Sequence, residues 1–201
     1  MKQVYLIRHS TPDIGMGVCY GQSDIDVTES FTEEAFTIKS FLPGQVDQVY
    51  SSPLVRCRKL GNFLFPGADI SYERDLMEIH CGIWEMRCWD DIPREEVMPW
   101  MNDFVHRPIP GGESYTDLYG RVIDCFGRIS SQGERVAVVS HGGVIRSILS
   151  HITGTALEDS FQAFRIHYGS VTRLTAVGMA WTYEVLTHGL ATGERHKPSF
   201  F

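Results

Sequence analysis

The sequence predicts an α/β fold in which a mostly parallel sheet carries helices on both faces. Three observations lead there. Short strand-like runs alternate with longer helical patterns, the best runs are apolar at consecutive positions, and three of them stop on polar groups. Consecutive apolar residues suit a strand covered on both faces, whereas strict alternation would suit a sheet with one wet face.

Residues 3–8 form the first strand. Val4, Tyr5, Leu6 and Ile7 call for burial, and Arg8–His9 followed by Ser10, Thr11, Pro12 and Asp13 end the run. Ser30 with Glu33 makes a capping box before a helix over Glu34–Leu42, which Pro43–Gly44 closes. Residues 46–51 are the next strand. Pro53 then fits the first turn of a helix that continues over Leu54–Phe65 to Pro66–Gly67. Residues 69–72 read as a short strand. The segment 80–110, rich in Trp, Met and Pro, is expected to be irregular with short helical pieces. "PGGES" at 110–114 is a turn, and Ser114 with Asp117 opens a helix to about Ile129. "RVAVVS" at 135–140 is the clearest buried strand, and Gly142–Gly143 begins a helix to about Ile152. Residues 164–176 and 180–187 are two late strands turned at Gly178–Met179. The terminal "GERHKPSFF" is expected to be a flexible tail whose Phe200 and Phe201 are available to dock on a groove.

Length and composition bound the function. A chain of 201 residues, 43% hydrophobic and 21% charged, suits a single domain over 1–201 that needs no disulfide or metal staple. The net charge of −7 gives no footprint for nucleic acid, and no Lys/Arg run suggests a membrane surface. Cys19, Cys57, Cys81, Cys88 and Cys125 are odd in number and scattered, which reads as free thiols in a reducing compartment. No apolar run reaches membrane-spanning length and no signal peptide is visible, so a cytoplasmic location is expected. His80, Cys81 and Cys88 match no common zinc spacing, and no metal is expected.

The chemistry collects where strands end. In a parallel sheet, ligands bind beyond the carboxyl ends of the strands. Here those ends carry Arg8–His9, then "SSPLVRC" with Arg56 in a first helical turn, then "VVSHGG" with His141 before a helix N-terminus. Guanidinium forks match phosphate oxygens in pairs and stay charged at any working pH, and a helix N-terminus favours anions. The ligand these groups would take is a phosphoryl group.

"LIRHSTPD", "SSPLVRC", "LMEIHCGIWE", "PGGES" and "VSHGG" resemble, in order from residue 6 to about 146, the motifs of the histidine phosphatase superfamily, also called phosphoglycerate mutase-like. The resemblance implies a three-layer α/β/α sandwich, a phosphohistidine intermediate and no cofactor or metal. By the same resemblance His9 matches the nucleophile, Arg8 and Arg56 the phosphate clamp, His141 the second histidine at the phosphoryl group, and Glu78 the general acid. Ser10 stands where the family usually has glycine, so it is expected either to narrow the pocket or to add a hydroxyl contact. Glu85 reads as a structural carboxylate, and Trp84 as core or pocket wall. His106 and Arg107 are expected at the surface.

The compact chain lacks an obvious long insertion, which favours hydrolysis over mutase chemistry. "PDIGMGVCYGQSDIDV" at 12–27 is similar to the segment after the active histidine in bacterial α-ribazole phosphatases, which remove the 5′-phosphate of α-ribazole in cobalamin assembly. That likeness gives Tyr20, Gly21 and Gln22, with Ser10 and Gly142, as expected substrate contacts: Tyr20 to stack on an aromatic base, Gln22 to bond ribose or phosphate. The expected partner is a small-molecule phosphate ester, with no nucleic acid and no membrane, and a homodimer stays open. The alternatives are a broad-specificity phosphatase, a mutase-type enzyme, or a non-catalytic phosphate-binding regulatory domain on the same fold.

Overall fold

The computed structural model describes residues 1–189 and 197–199. The first strand, β1 (Gln3–Arg8), shows what organises the rest. Val4 and Leu6 point into one apolar cluster, while Tyr5 and Ile7 point into another on the opposite face. Strand β4 (Arg135–Ser140) repeats this, with Val136 and Val138 on the first side and Ala137 and Val139 on the second. Consecutive apolar residues in both strands are therefore two half-cores joined through the sheet.

Six strands form one mixed sheet in the order β3-β2-β4-β1-β5-β6. β2 (Gln48–Ser51) and β3 (Ile70–Tyr72) extend the parallel part beside β4 and β1. β5 (Val171–Val177) and β6 (Ala180–Thr187) run antiparallel at the other side. Helices α1 (Phe31–Lys39) and α2 (Val55–Leu64) cover one face. A short helix α3 (Arg94–Met101) lies in the segment after β3, and α4 (Tyr115–Ile129) and α5 (Gly142–Thr153) cover the second face. A one-turn helix, α6 (Ser160–Ala163), precedes β5. The result is the three-layer α/β/α sandwich that the resemblance implied. A third cluster, built on Trp84, Trp89, Ile92, Val97 and Ile109, gives the irregular segment 80–110 its own apolar centre.

Helix termini separate two sequence signals that looked alike. At α4 the box forms: Ser114 Oγ accepts from Asp117 N at 3.1 Å, and the Asp117 carboxylate accepts from Ser114 N at 2.9 Å. At α1 it does not. Ser30 already has helical dihedrals (φ −71°, ψ −4°) and makes no side-chain cap. Its hydroxyl donates instead to Glu34 at 2.6 Å, and the other Glu34 oxygen accepts from Thr11 N at 2.8 Å. Glu34, not Glu33, is the working carboxylate, and it ties the loop after β1 to α1.

The expected strand over 164–176 starts late. Gly169 has φ +71°, which turns the chain, and the backbone there bonds to the end of β1 rather than along a ladder. The expected flexible tail lies largely outside the described residues, Phe200 and Phe201 included. All five cysteines are free thiols. Among the described residues no helix is long and apolar enough to cross a membrane.

Replacing Ser114 by alanine is expected to lower the unfolding free energy by about 1 kcal/mol, the usual worth of a made N-cap. Ser30→Ala should cost well under half of that, because no cap is lost. Urea midpoints at constant slope test the pair; equal losses would contradict the assignment.

Candidate active site

Register places the polar strand ends side by side. Arg8 pairs with Ser140 across β1 and β4, and Ser51 pairs with Val139 across β2 and β4. The next residue of each chain segment then turns over the sheet's edge: His9 after β1, Ser52 after β2, His141 after β4. His9 N donates to Ser140 O at 3.0 Å, and Ser52 N to Val139 O at 2.9 Å, so the three ends are stitched together.

Arg8, His9, Arg56, Glu78 and His141 all line one cleft, with about 820 Å³ of empty space open to solvent. His9 is buried, and its Nδ1 lies 2.7 Å from Ser10 O. A carbonyl can only accept, so Nδ1 carries a proton, and in the neutral ring Nε2 then carries the lone pair. The His9 and His141 rings meet edge-on with centroids 5.1 Å apart.

Both guanidinium groups are buried and held by backbone oxygens. Arg8 Nη1 donates to Ile166 O at 2.7 Å. Arg56 Nη1 donates to Ser23 O at 2.9 Å and Nη2 to Gly21 O at 2.7 Å. Arg56 Nη2 also lies 3.3 Å from His141 Nδ1, while His141 Nε2 is 2.8 Å from Ser52 Oγ. Since Arg56 can only donate, His141 Nδ1 accepts and Nε2–H donates to Ser52. Burial, then the Arg56 charge beside it, push the His141 pKa well below the usual histidine value, so the ring is neutral.

Glu78 reaches the cleft from an irregular segment. One carboxylate oxygen accepts from Gly143 N at 3.0 Å at the start of α5, the other from Ile79 N at 2.9 Å. A Cβ on Gly143 would stand 2.3 Å from that carboxylate, so this approach requires glycine. Arg121 fixes the segment from behind. It donates to the carbonyls of Asp75, Met77 and Glu78 at 2.8, 2.8 and 2.9 Å, and pairs through two nitrogens with Glu113. Glu113 is the acidic residue of "PGGES", so that motif is a buttress for Glu78 as well as a turn.

Five expected substrate contacts divide. Tyr20 and Gly142 line the cleft, but Ser10, Gly21 and Gln22 do not. Ser10 is fully buried, and its Oγ has no partner among the described residues. It contributes a carbonyl to His9, which glycine would also supply, so it neither narrows the cleft nor adds a hydroxyl contact. The Gln22 amide nitrogen donates to Glu78 O at 3.0 Å. A Cβ on Gly21 would fall 1.8 Å from Ile79 O, so backbone contact is its role. The Glu85 carboxylate folds this turn by accepting from the amides of Gly21, Gln22, Ser23 and Cys81 and from the Ser23 hydroxyl. Trp84 is core, and His106 and Arg107 are exposed.

The sequence reading missed the outer wall of the cleft, where Trp89, Trp100, Phe104, Tyr115 and Phe161 stand with Arg146. Arg146 carries a signal that was available, since it follows Gly142 by four residues on one helical face. The aromatic residues come from three separate segments with no shared motif.

Two guanidinium groups, two imidazoles and one carboxyl around one cleft, at the carboxyl ends of parallel strands, form a site suited to a phosphoryl group. The chain belongs to the histidine phosphatase superfamily (branch 1), whose family model matches residues 4–188. It is 28% identical over 167 residues to a candidate phosphoserine phosphatase of Hydrogenobacter thermophilus, covering 79% of this chain and 82% of the relative. It is 30% identical over 164 residues to the candidate phosphoglycerate mutase GpmB of Salmonella choleraesuis, covering 77% and 76%. Among solved structures, the α-ribazole phosphatase of Shigella flexneri superposes with a TM-score of 0.83 over 96% of this chain and 100% of that one, at 23% identity. That last likeness is one of fold.

Burial raises the Glu85 pKa, but the hydrogen bonds from Ser23 and the backbone outweigh it and leave the group below its usual value. A carboxylate with a lowered native pKa stabilises the fold fully above the ordinary glutamate range and loses that contribution as pH falls through its native value. Glu85→Gln, which weakens these charge-assisted bonds, is expected to lower stability at neutral pH by about 1–3 kcal/mol. The gap to wild type should close in acid, as measured by denaturant unfolding at several pH values. A gap independent of pH would refute this role.

Proposed function

We propose that the protein is a metal-independent phosphomonoesterase working through a phosphohistidine on His9, with α-ribazole 5′-phosphate as substrate, and that residues 1–201 make up one catalytic unit. The observation that carries the chemistry is the His9 ring. Its Nδ1 is tied to Ser10 O at 2.7 Å, which turns the Nε2 lone pair to the work of attack in a cleft shared with Arg8, Arg56, Glu78 and His141.

In the first half-reaction His9 Nε2 attacks phosphorus, the P–N bond forms and the ester P–O bond breaks. Charge spread over the equatorial oxygens is met by Arg8 and Arg56. Glu78 donates its proton to the departing alkoxide, a contribution typically worth roughly 10²–10⁴-fold. In the second half-reaction water attacks phosphorus, Glu78 takes its proton, the P–N bond breaks and neutral His9 is restored. His141 enters neutral. Burial and the cationic neighbours hold it so, and a phosphoryl dianion beside it opposes both and draws the Arg56 fork, which frees Nδ1 to take a proton and bond the transferred group.

The substrate reading draws on the fold likeness to an α-ribazole phosphatase and on the aromatic wall, which suits a flat base. Relatives named for phosphoserine and phosphoglycerate favour a second reading, a small anionic ester held by Arg146. A non-catalytic binding domain would have no use for a carboxyl held at the cleft by a backbone amide.

Hydrolysis of p-nitrophenyl phosphate is expected to proceed at an unchanged rate in EDTA. His9→Ala should abolish phosphoryl labelling of the chain, and turnover at the wild-type rate in that variant would remove the nucleophile. Glu78→Gln should still be labelled by p-nitrophenyl phosphate, whose leaving group needs no proton, while its hydrolysis of alkyl phosphates falls roughly 10²–10⁴-fold. Across a panel scored by kcat/KM, α-ribazole 5′-phosphate should exceed phosphoserine and the phosphoglycerates; the reverse order would favour the second reading.

A further inference from the structure

We propose that Tyr20 and Tyr168 form a positioning pair that sets the separation of the two guanidinium groups and the tilt of the nucleophile. The inference rests on the reading of Arg8, His9 and Arg56 as the phosphoryl site.

Tyr168 is buried, with 6% of its surface exposed, and is absent from the lining of the cleft. It nonetheless touches both residues at the end of β1. Its ring centre lies 4.1 Å from Arg8 Cζ, and 5.4 Å from the His9 ring at a tilt of 38°. Its hydroxyl is hydrogen-bonded to the hydroxyl of Tyr20, a residue 148 positions away. The Tyr20 ring in turn lies 5.5 Å from Arg56 Cζ. Two phenols joined at their oxygens thus run from one guanidinium to the other, with the His9 ring against the far end.

Each phenol is anchored through its own segment. Around Tyr168, Gly169 N donates to His9 O and Arg8 N donates to Ser170 O, both at 3.0 Å, and Ile166 O accepts from Arg8 Nη1. Around Tyr20, Glu85 gathers the amides of Gly21, Gln22 and Ser23, and Arg56 grips the carbonyls of Gly21 and Ser23. The loop after β1 and the turn before β5 therefore share one side-chain bond directly beside the clamp.

The physical need for such a device is plain. Arg8 and Arg56 are like charges pressed into one cleft, and each gains from a ring beneath it. A transferring phosphoryl group must meet both forks and the imidazole together, and misplacement by about 1 Å can cost 10²-fold in rate. A hydrogen bond between the supporting rings fixes that spacing without placing a polar group on the substrate. Tyr168 is accordingly a positioning residue. Tyr20 lines the cleft as well, so its hydroxyl does this in addition to whatever its face contacts.

The test is a double-mutant cycle with Tyr20→Phe, Tyr168→Phe and both together. Each change keeps the ring and deletes one end of the bond. Steady-state hydrolysis of p-nitrophenyl phosphate is read beside calorimetric binding of orthovanadate and thermal midpoints. Each single variant is expected to lower kcat/KM and weaken vanadate binding about tenfold, and the double variant should be no worse than either, because all three lack the same bond. Multiplied losses in the double variant would overturn the coupling. Lowered midpoints with unchanged vanadate affinity would show a purely structural pair and overturn the proposal. Should Tyr168→Phe fail to fold, the Tyr20→Phe variant alone decides through its vanadate affinity. A wild-type protein that binds vanadate but hydrolyses nothing would refute the catalytic reading, while the vanadate cycle would still decide for or against the pair.

Discussion

The constraint on which the structure depends is the burial of two guanidinium groups at the edge of one sheet. A buried ion costs several kcal/mol even after the surroundings relax. Arg56, fully buried, donates to two backbone carbonyls and to one imidazole nitrogen. Carbonyl dipoles offset part of the desolvation without cancelling the charge, whereas a carboxylate would cancel it. The cleft keeps its positive character for an anion, and the backbone must be bent to bring those carbonyls into place. Much of the loop structure around the site follows from that requirement.

Two other carboxylates do the bending. Glu85 draws four amides toward one point and so turns Gly21 and Ser23 carbonyls onto Arg56. Glu113 locks Arg121, which holds three carbonyls leading up to Glu78. Neither carboxylate lines the cleft. These two acidic groups thus stand behind the site, and within it Glu78 is the one carboxyl among Arg8, Arg56 and Arg146, which reconciles a chain of net charge −7 with a pocket suited to an anion.

How much of this was legible in the sequence depended on how local the physics was. Val4–Ile7 and Val136–Val139 announced buried strands because consecutive apolar residues admit few other solutions. Arg8, His9, Arg56, Glu78 and His141 were legible because each closes a motif, and the structure brings all five to one cleft. Ser30 misled because a serine three residues before Glu33 fits a capping box, yet its hydroxyl donates to Glu34, whose other oxygen accepts from Thr11 N. Ser10, Gly21 and Gln22 fall outside the cleft lining, since adjacency to the nucleophile and to Tyr20 does not say which residues of a turn face the cavity. Tyr168 left no trace, since its importance lies in a partner 148 residues away. Non-local contacts of that kind lie outside the reach of periodicity and spacing.

The same division bears on substrate choice. The groups proposed to handle phosphorus, Arg8, His9, Arg56 and His141, stand on strand ends and first helical turns, where register leaves little freedom. The aromatic wall stands on the segment holding Trp89, Trp100 and Phe104, on the start of α4 at Tyr115, and on α6 at Phe161. These segments are separate from the strand ends and first helical turns that carry Arg8, His9, Arg56 and His141. Relatives named for phosphoserine and for phosphoglycerate are therefore compatible with one shared chemistry and different outer walls. In this chain five rings share the cleft wall with Arg146, which donates through Nε to Phe164 O and lies with its Cζ 4.5 Å from the centre of the Phe161 ring. A guanidinium beside an aromatic face gains from the ring while its N–H edge stays suited to an anion, so one wall combines apolar surface and positive charge. The outer wall thus offers ring surface to a flat leaving group and a cation to an anionic one, through features independent of the motifs that identify the chemistry.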